Sequence, residues 1–125
     1  MGIFSTTVLV GNLEGGYQEE LQALVDTGAS DSMFPASLLE YLHVHPRTRV
    51  DYVLADGSEV TYGRGQARLS INDRDGICPV IFGPEGDDNC LVGATTLQIL
   101  MLTVDSTNET LIPTNKGRLG YGGNL

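Results

Sequence analysis

Tryptophan is absent from this sequence, and cysteine and cationic residues are scarce. The 125 residues include two cysteines and no tryptophan, and 16 Asp and Glu stand against seven Lys and Arg, so the formal net charge is −9. So few cations exclude a surface built for nucleic acid or for an anionic membrane. No apolar run approaches the ~20 residues that span a bilayer, and residues 1–5 carry no secretory leader, so a cytoplasmic location is expected.

Patterns typical of metal sites are missing too. Cys78 and Cys90 have no His or Cys neighbour at the spacing of metal ligands, and their apolar surroundings indicate buried, reduced thiols. Residues 72–76 resemble part of a calcium loop, but with Gly76 at the sixth position the first and twelfth ligands would be apolar residues. We therefore expect neither a metal nor an organic cofactor.

The residue types that are frequent in the sequence indicate β-strands. Val, Ile, Leu and Thr recur in short runs among 16 glycines, a composition typical of β structure. Asp56-Gly57 between extended arms predicts a hairpin, and residues 72–76 predict a turn between strands over 66–71 and 77–82. The glycines at 63 and 65 predict bends. The length fits a single domain, too short for two lobes that each bear a carboxylate.

Two short helices are predicted as well. One begins at Pro35, with Leu38, Leu39 and Leu42 on one face and Ser32 as its candidate cap. The other follows Gly93. It should place the apolar side chains of Leu97, Leu100 and Met101 inward.

The most informative segment runs Leu24-Val25-Asp26-Thr27-Gly28-Ala29-Ser30. An apolar strand that delivers a carboxylate to a tight turn partly desolvates it, and the hydroxyl and glycine that follow let the backbone turn around it. The same residue types also close ordinary turns, so Asp-Thr-Gly alone is a weak signal. The apolar lead-in and the small residues that follow favour a reactive Asp26.

One aspartate cannot serve as both acid and base in peptide hydrolysis. Two carboxylates about 3 Å apart can, because ionising both would cost about 5 kcal/mol at an effective dielectric of about 20, so the pair keeps one shared proton. The nearest second candidate, Asp105, lacks a following glycine and is interpreted as a strand end and turn. The partner of Asp26 would then be Asp26 of another copy, which predicts a twofold homodimer.

The order of these features resembles the retropepsin-like aspartic proteases, the single-domain group that includes the retroviral proteases. Asp-Thr-Gly after a strand is followed by a short helix, an Asp-Gly hairpin, two further strands and an apolar pair before Gly93 that leads into a helix. The similarity runs from about Leu21 to Pro113. It is greatest to the cellular members of bacteria and archaea.

The resemblance implies a role for each matching residue. Asp26 would be the dyad carboxylate, Thr27 would interlock with its symmetry mate, and Gly28 would leave room for the substrate backbone. The resemblance also implies flap and cleft residues that contact an extended peptide, and residues that support the catalytic loop from behind. The flap and cleft set is Ala29, Ser30, Asp31, Ala55, Asp56, Gly57 and Ser58, and the supporting set is Leu91, Val92 and Gly93.

The sequence departs from the viral pattern at three places. Ser30 and Ala94 stand where retroviral enzymes usually carry Asp and Arg, and the loss of both charges together predicts a dimer stabilised differently. Asp56 places negative charge on the flap. Residues 114–125 form a polar, Gly-rich tail in place of an apolar terminal strand, so the domain is expected to span residues 1–113.

These observations predict an all-β, closed barrel-like retropepsin fold with one or two short helices and one Asp-Thr-Gly lobe per chain. The predicted activity is that of a homodimeric aspartic endopeptidase acting on extended peptides or proteins. One alternative is a peptide-binding or dimerisation module that hydrolyses nothing. Another, an oligosaccharide hydrolase that pairs Asp26 with Asp31, suffers from the short spacing between them and from the lack of tryptophan.

Overall fold

Nine strands and two short helices make up the part of the chain that the structure, a computed structural model, describes: residues 4–114. The strands are β1 (Phe4–Gly11), β2 (Gln18–Val25), β3 (Ser32–Pro35), β4 (Pro46–Val53), β5 (Glu59–Ile71), β6 (Arg74–Gly83), β7 (Leu91–Val92), β8 (Leu102–Asp105) and β9 (Thr110–Pro113). The helices are α1 (Ala36–Tyr41) and α2 (Ala94–Leu100), and a single 3₁₀ turn covers Asp87–Asn89.

Six of the strands form a closed ring. The order in the main sheet is β1-β2-β7-β3-β6-β5-β4, and β1 also pairs with β5, so that the ring closes and β4 extends from it on β5. Two of the neighbouring pairs, β2 with β7 and β3 with β6, are parallel. Strands β8 and β9 form a separate antiparallel pair. The prediction of a mainly β fold that closes on itself is confirmed, with the closure provided by this ring.

Strand alternation places the core inside the ring. In β5, Ala67, Leu69 and Ile71 are buried while the residues between them are more exposed, as the two-residue period of a strand requires. Phe34 of β3 and Leu39 of α1 are fully buried in the same cluster. The ring therefore gives the loops at its edge a rigid base.

Some predicted strand boundaries were wrong. Strand β5 is continuous over 13 residues, although the sequence predicted bends at the glycines. Those glycines instead allow the segment around His45 to approach β5 closely. A Cβ at Gly65 would lie 2.5 Å from the carbonyl oxygen of His45. The hairpin between β5 and β6 turns on two residues, Asn72 and Asp73, both with positive φ, rather than on five.

The helical predictions also needed correction. Ser32 does not cap α1, because it lies in β3, a strand that the sequence analysis missed, and its side chain is buried. Leu97 and Leu100 of α2 point inward as predicted, but Met101 adopts the left-handed conformation that ends the helix and remains 38% exposed. Asp105 ends β8 and accepts the amide hydrogens of Thr107 and Asn108, which confirms the predicted turn.

No helix within residues 4–114 is long and apolar enough to cross a membrane. Cys78 and Cys90 are free and buried, as predicted. Of the predicted tail, only Thr114 falls within the described residues, and residues 115–125 lie outside them.

Candidate active site

Asp26 stands directly after β2, where the neighbouring strand β7 holds the start of its loop. The amide of Leu24 donates to the carbonyl of Cys90 and the amide of Asp26 to the carbonyl of Val92, both at 2.9 Å. The amide of Ala29 then donates to the carbonyl of Asp26 at 3.1 Å, which closes the turn. The backbone on both sides of Asp26 is therefore fixed by the ring of strands.

The Asp26 side chain is partly buried and bends back toward its own turn. Its Oδ1 accepts the amide hydrogen of Gly28 at 3.0 Å. A Cβ at Gly28 would lie 3.2 Å from that oxygen, so the glycine keeps the space around the carboxylate open. Thr27 and Gly28 are both exposed at the tip of the loop. A carboxylate that is oriented by a backbone donor and open to an approaching substrate can serve as a general acid or base.

Gly93 and the start of α2 support this loop from behind. The amides of Ala94 and Thr95 donate to the carbonyls of Ala29 and Ser30 at 2.8 and 2.9 Å. A Cβ at Gly93 would lie 2.7 Å from the carbonyl oxygen of Asp31, closer than any real Cβ approaches a backbone atom. Position 93 therefore requires glycine for packing, although its own φ is ordinary.

A buried hydroxyl pair completes this support. Ser32 Oγ accepts the amide hydrogen of Gly93 at 3.0 Å and lies 2.6 Å from Thr96 Oγ1, and both side chains are fully buried. Sequence reasoning missed both residues. A signal was available, because small polar residues in apolar surroundings require hydrogen-bond partners. The two residues are 64 positions apart, however, so the sequence did not indicate that they are partners of each other.

Asp31 belongs to a polar cluster at the far end of the loop. Arg64 Nε of β5 donates to Asp31 Oδ2 at 2.9 Å, and the Tyr52 hydroxyl of β4 lies 3.5 Å from the same oxygen. Burial, and then the nearby Asp31 carboxylate, raise the pKa of Tyr52, while the hydrogen bond to Asp31 raises the pKa of Arg64. Sequence reasoning placed Asp31 near the cleft but missed both of its partners.

The predicted hairpin over residues 55–58 is present between β4 and β5. Leu54 and Ser58 share a backbone hydrogen bond at 2.8 Å, and Gly57 has the positive φ that such a turn requires. Asp56 accepts hydrogen bonds from the amide and hydroxyl of Ser58, which lower its pKa. Val53 is 73% exposed, so the hairpin presents apolar as well as charged side chains to its surroundings.

Of the predicted supporting residues, Val92 is fully buried and Leu91 is half-buried. Leu91 pairs with Leu24 on one side and Met33 on the other. This places β7 between the strand that leads into the Asp26 loop and the strand that leaves it. Residues 4–114 contain no group of three or more His, Cys, Asp or Glu that could hold a metal ion.

A sequence model of the aspartyl proteases matches residues 9–96, a range that contains the Asp26 loop, the hairpin and Gly93. The chain belongs to the aspartyl protease family. No curated protein sequence shows significant similarity to it.

Two solved viral proteases and a retroviral protease-like domain share this fold, which confirms the predicted retropepsin fold. The simian foamy virus (mac) protease is 19% identical, with a TM-score of 0.56 over 78% of this chain and 96% of its own. The EIAV protease in complex with an inhibitor is 21% identical, with a TM-score of 0.54 over 79% of this chain and 88% of its own. The retroviral protease-like domain of Ddi1 from Leishmania major is 18% identical, with a TM-score of 0.55 over 89% of each chain.

Proposed function

We propose that this aspartyl protease family member is an aspartic endopeptidase that acts as a homodimer, with Asp26 of each copy forming the catalytic pair. The observation that carries the proposal is the Asp26 carboxylate, oriented by the Gly28 amide on a loop fixed by Val92 and open at its tip. The proposed substrate is an extended peptide or protein segment.

A second copy of the chain would supply the second catalytic carboxylate, which a single chain lacks. The other carboxylate close along the chain, Asp31, is already engaged by Arg64 at 2.9 Å, so it is not placed to pair with Asp26. Two copies related by a twofold axis would bring two equivalent Asp26 loops together. The pair would share one proton, because two ionised carboxylates at about 3 Å repel strongly.

The shared proton gives the two carboxylates different tasks. The ionised Asp26 takes a proton from a bridging water as that water attacks the scissile carbonyl carbon. The protonated Asp26 of the other copy hydrogen-bonds to the carbonyl oxygen and donates its proton as the tetrahedral intermediate forms. Collapse of the intermediate expels the amine with a proton returned from the pair, and no covalent bond to the protein forms.

The hairpin over residues 55–58 is the proposed flap tip. An extended peptide has unpaired backbone donors and acceptors, which a β-ribbon can satisfy while it excludes water from the reacting carbonyl. The base of the ribbon is joined to the end of the Asp26 loop by Arg64 and Asp31. Movement of the ribbon is therefore mechanically linked to the loop.

The test is digestion of a proteome-derived peptide library by the parent chain and by Asp26→Asn. We expect cleavage by the parent between about pH 4 and 7, where a shared-proton pair is active, and none by the variant. Circular dichroism and thermal unfolding should show the variant folded. Retained cleavage in Asp26→Asn would remove Asp26 from the mechanism.

A second function, peptide binding without hydrolysis, is favoured by the joint absence of the charges that retroviral enzymes usually carry at the positions of Ser30 and Ala94. The same library distinguishes the two functions. Saturable binding without turnover by the parent chain across this pH range would establish the binding module and reject the endopeptidase.

A further inference from the structure

A groove lined by leucines and by acidic residues lies next to β2, the strand that leads into the Asp26 loop. Its volume is about 650 Å³. The leucines that line it are Leu21, Leu24 and Leu38. Glu19, Asp87 and Asp88 also line it and are exposed, and they form its acidic rim.

The groove is continuous with the backbone that carries Asp26. Leu24 and Cys90, which both line it, are joined by a backbone hydrogen bond at 2.9 Å, and the next bond of the same ladder joins Asp26 to Val92. Leu24 stands two residues before Asp26, which is about 7 Å along an extended strand. Ala23 and Val25 point into the core, while Leu24 is 37% exposed and lines the groove.

The charge on the rim is uncompensated. Within residues 4–114 the ion pairs are Arg64 with Asp31 and Arg68 with Asp75, so none of the groove carboxylates has a cationic partner there. The rim also includes Glu85, whose carboxylate is held in place by the amide and hydroxyl of Ser37. Burial, and then the negative charge of Asp87, raise the pKa of Cys90, which also lines the groove.

We propose that this groove binds a lysine or arginine side chain of the peptide substrate, and so makes the protein selective for basic sequences near the scissile bond. Such side chains lay an apolar stem on an apolar surface and hold a cation beyond it, which matches a groove lined by leucines and by exposed carboxylates. A neutral apolar side chain would leave the rim unpaired. An acidic one would be repelled.

The inference rests on the proposed function, and its test separates the two by measuring binding apart from cleavage. The probes are two fluorescein-labelled decapeptide pools of the same composition, one containing arginine and the other its neutral isostere citrulline. Affinity is measured by fluorescence anisotropy on the full-length Asp26→Asn chain, which cannot consume the probe. Cleavage of the same pools is measured on the parent chain.

We expect the arginine pool to bind about three- to tenfold more tightly than the citrulline pool at low ionic strength, a range set by a few partly exposed charge pairs. The preference should shrink as ionic strength rises to about 0.5 M. Equal affinities, or no saturable binding of either pool, would overturn the proposal. Preferential binding without any cleavage by the parent would support the groove and reject the endopeptidase.

Three variants locate the effect. Asp87→Asn/Asp88→Asn in the Asp26→Asn background should bring the two pools within about twofold of each other. Glu14→Gln/Glu40→Gln removes the same net charge from exposed positions outside the groove and should leave the preference unchanged. Because Asp87 and Asp88 begin a 3₁₀ turn, Glu19→Gln on β2 repeats the test without touching that turn. A preference that survives in all groove variants would overturn the assignment.

The chain itself offers a competing occupant, since Lys116 and Arg118 lie in the tail. Lys116→Gln/Arg118→Gln should leave the affinity for the arginine pool unchanged. An increase of about threefold or more would mean that the tail occupies the groove, and would overturn the assignment to substrate.

Discussion

Arg64 of β5 and Asp31, at the end of the Asp26 loop, form an ion pair of 2.9 Å between residues 33 positions apart. The Asp31 side chain is 13% exposed and that of Arg64 38% exposed. The pair joins one arm of the hairpin to the loop that carries the catalytic candidate. Tyr52 on the other arm lies within reach of the same carboxylate.

Breaking this pair should cost modest stability. Arg64→Gln is expected to lower the free energy of unfolding by about 1 kcal/mol, since the arginine is partly solvated while the carboxylate it leaves behind is mostly buried. A double-mutant cycle with Asp31→Asn, followed by urea denaturation, should give a coupling energy of about 0.5–1 kcal/mol. Arg68→Gln, which breaks the more exposed pair with Asp75, is the control. Equal costs for both arginines would contradict a specific role for Arg64.

Gly93→Ala should destabilise the fold strongly. The new Cβ would meet backbone atoms of Asp31 and Ala29 at 2.7–2.9 Å, and backbone cannot rotate away, so we expect a loss of about 2–3 kcal/mol. Gly28→Ala is the matched control, because its Cβ would meet only the Asp26 carboxylate at 3.2 Å. Thermal unfolding of both variants checks this. A smaller loss of stability in Gly93→Ala than in Gly28→Ala would show that the backbone around Gly93 can shift at little energetic cost.

Ser32→Ala removes an acceptor from the buried amide of Gly93 and a partner from Thr96. Unsatisfied buried polar groups are costly, so the variant should lose about 1–3 kcal/mol of unfolding free energy. Thr7→Ala removes an exposed side-chain hydrogen bond to Gln22 and should change stability by less than about 0.5 kcal/mol. Denaturant titrations compare the two. A neutral Ser32→Ala would mean that another group satisfies the Gly93 amide.

The two cysteines should be unreactive in the native protein. Burial raises the pKa of Cys78 and of Cys90, which are 0% and 5% exposed, so the reactive thiolate is disfavoured. Iodoacetamide at about pH 8 should label them slowly until denaturant is added. Fast labelling of both thiols in the native state would contradict their burial.

The raised pKa values of the two cysteines also predict how the stability of the fold changes with pH. A thiol whose pKa is raised in the folded state is stabilised in its neutral form, so its contribution is fully present below the unfolded pKa of about 8.5 and is lost as pH rises through the folded value. The raised pKa of Tyr52 likewise favours its neutral form in the folded state, so ionisation of Tyr52 should lower stability further at higher pH. Melting temperatures should therefore fall above about pH 9. Cys78→Ala should flatten that fall relative to the parent chain, and an unchanged slope would contradict it.

The features predicted from sequence were those that neighbouring residues decide. Asp56-Gly57 specifies its turn because glycine accepts a positive φ and aspartate bonds to an amide two residues on. Errors came where packing overrode local signals. The glycines at 63 and 65 suggested bends but serve close approach of the segment around His45, and Ser32 suggested a helix cap but lies in a strand.

The sequence by itself determined the Asp26 loop, the hairpin and the alternation that makes a β domain, since turn chemistry and strand period depend on residues a few positions apart. Only the tertiary structure decided that Asp31 pairs with Arg64, that Ser32 and Thr96 support Gly93, and that acidic residues from β2 and from the segment before β7 line one groove. Those partners are distant along the chain. They meet because the ring of strands closes.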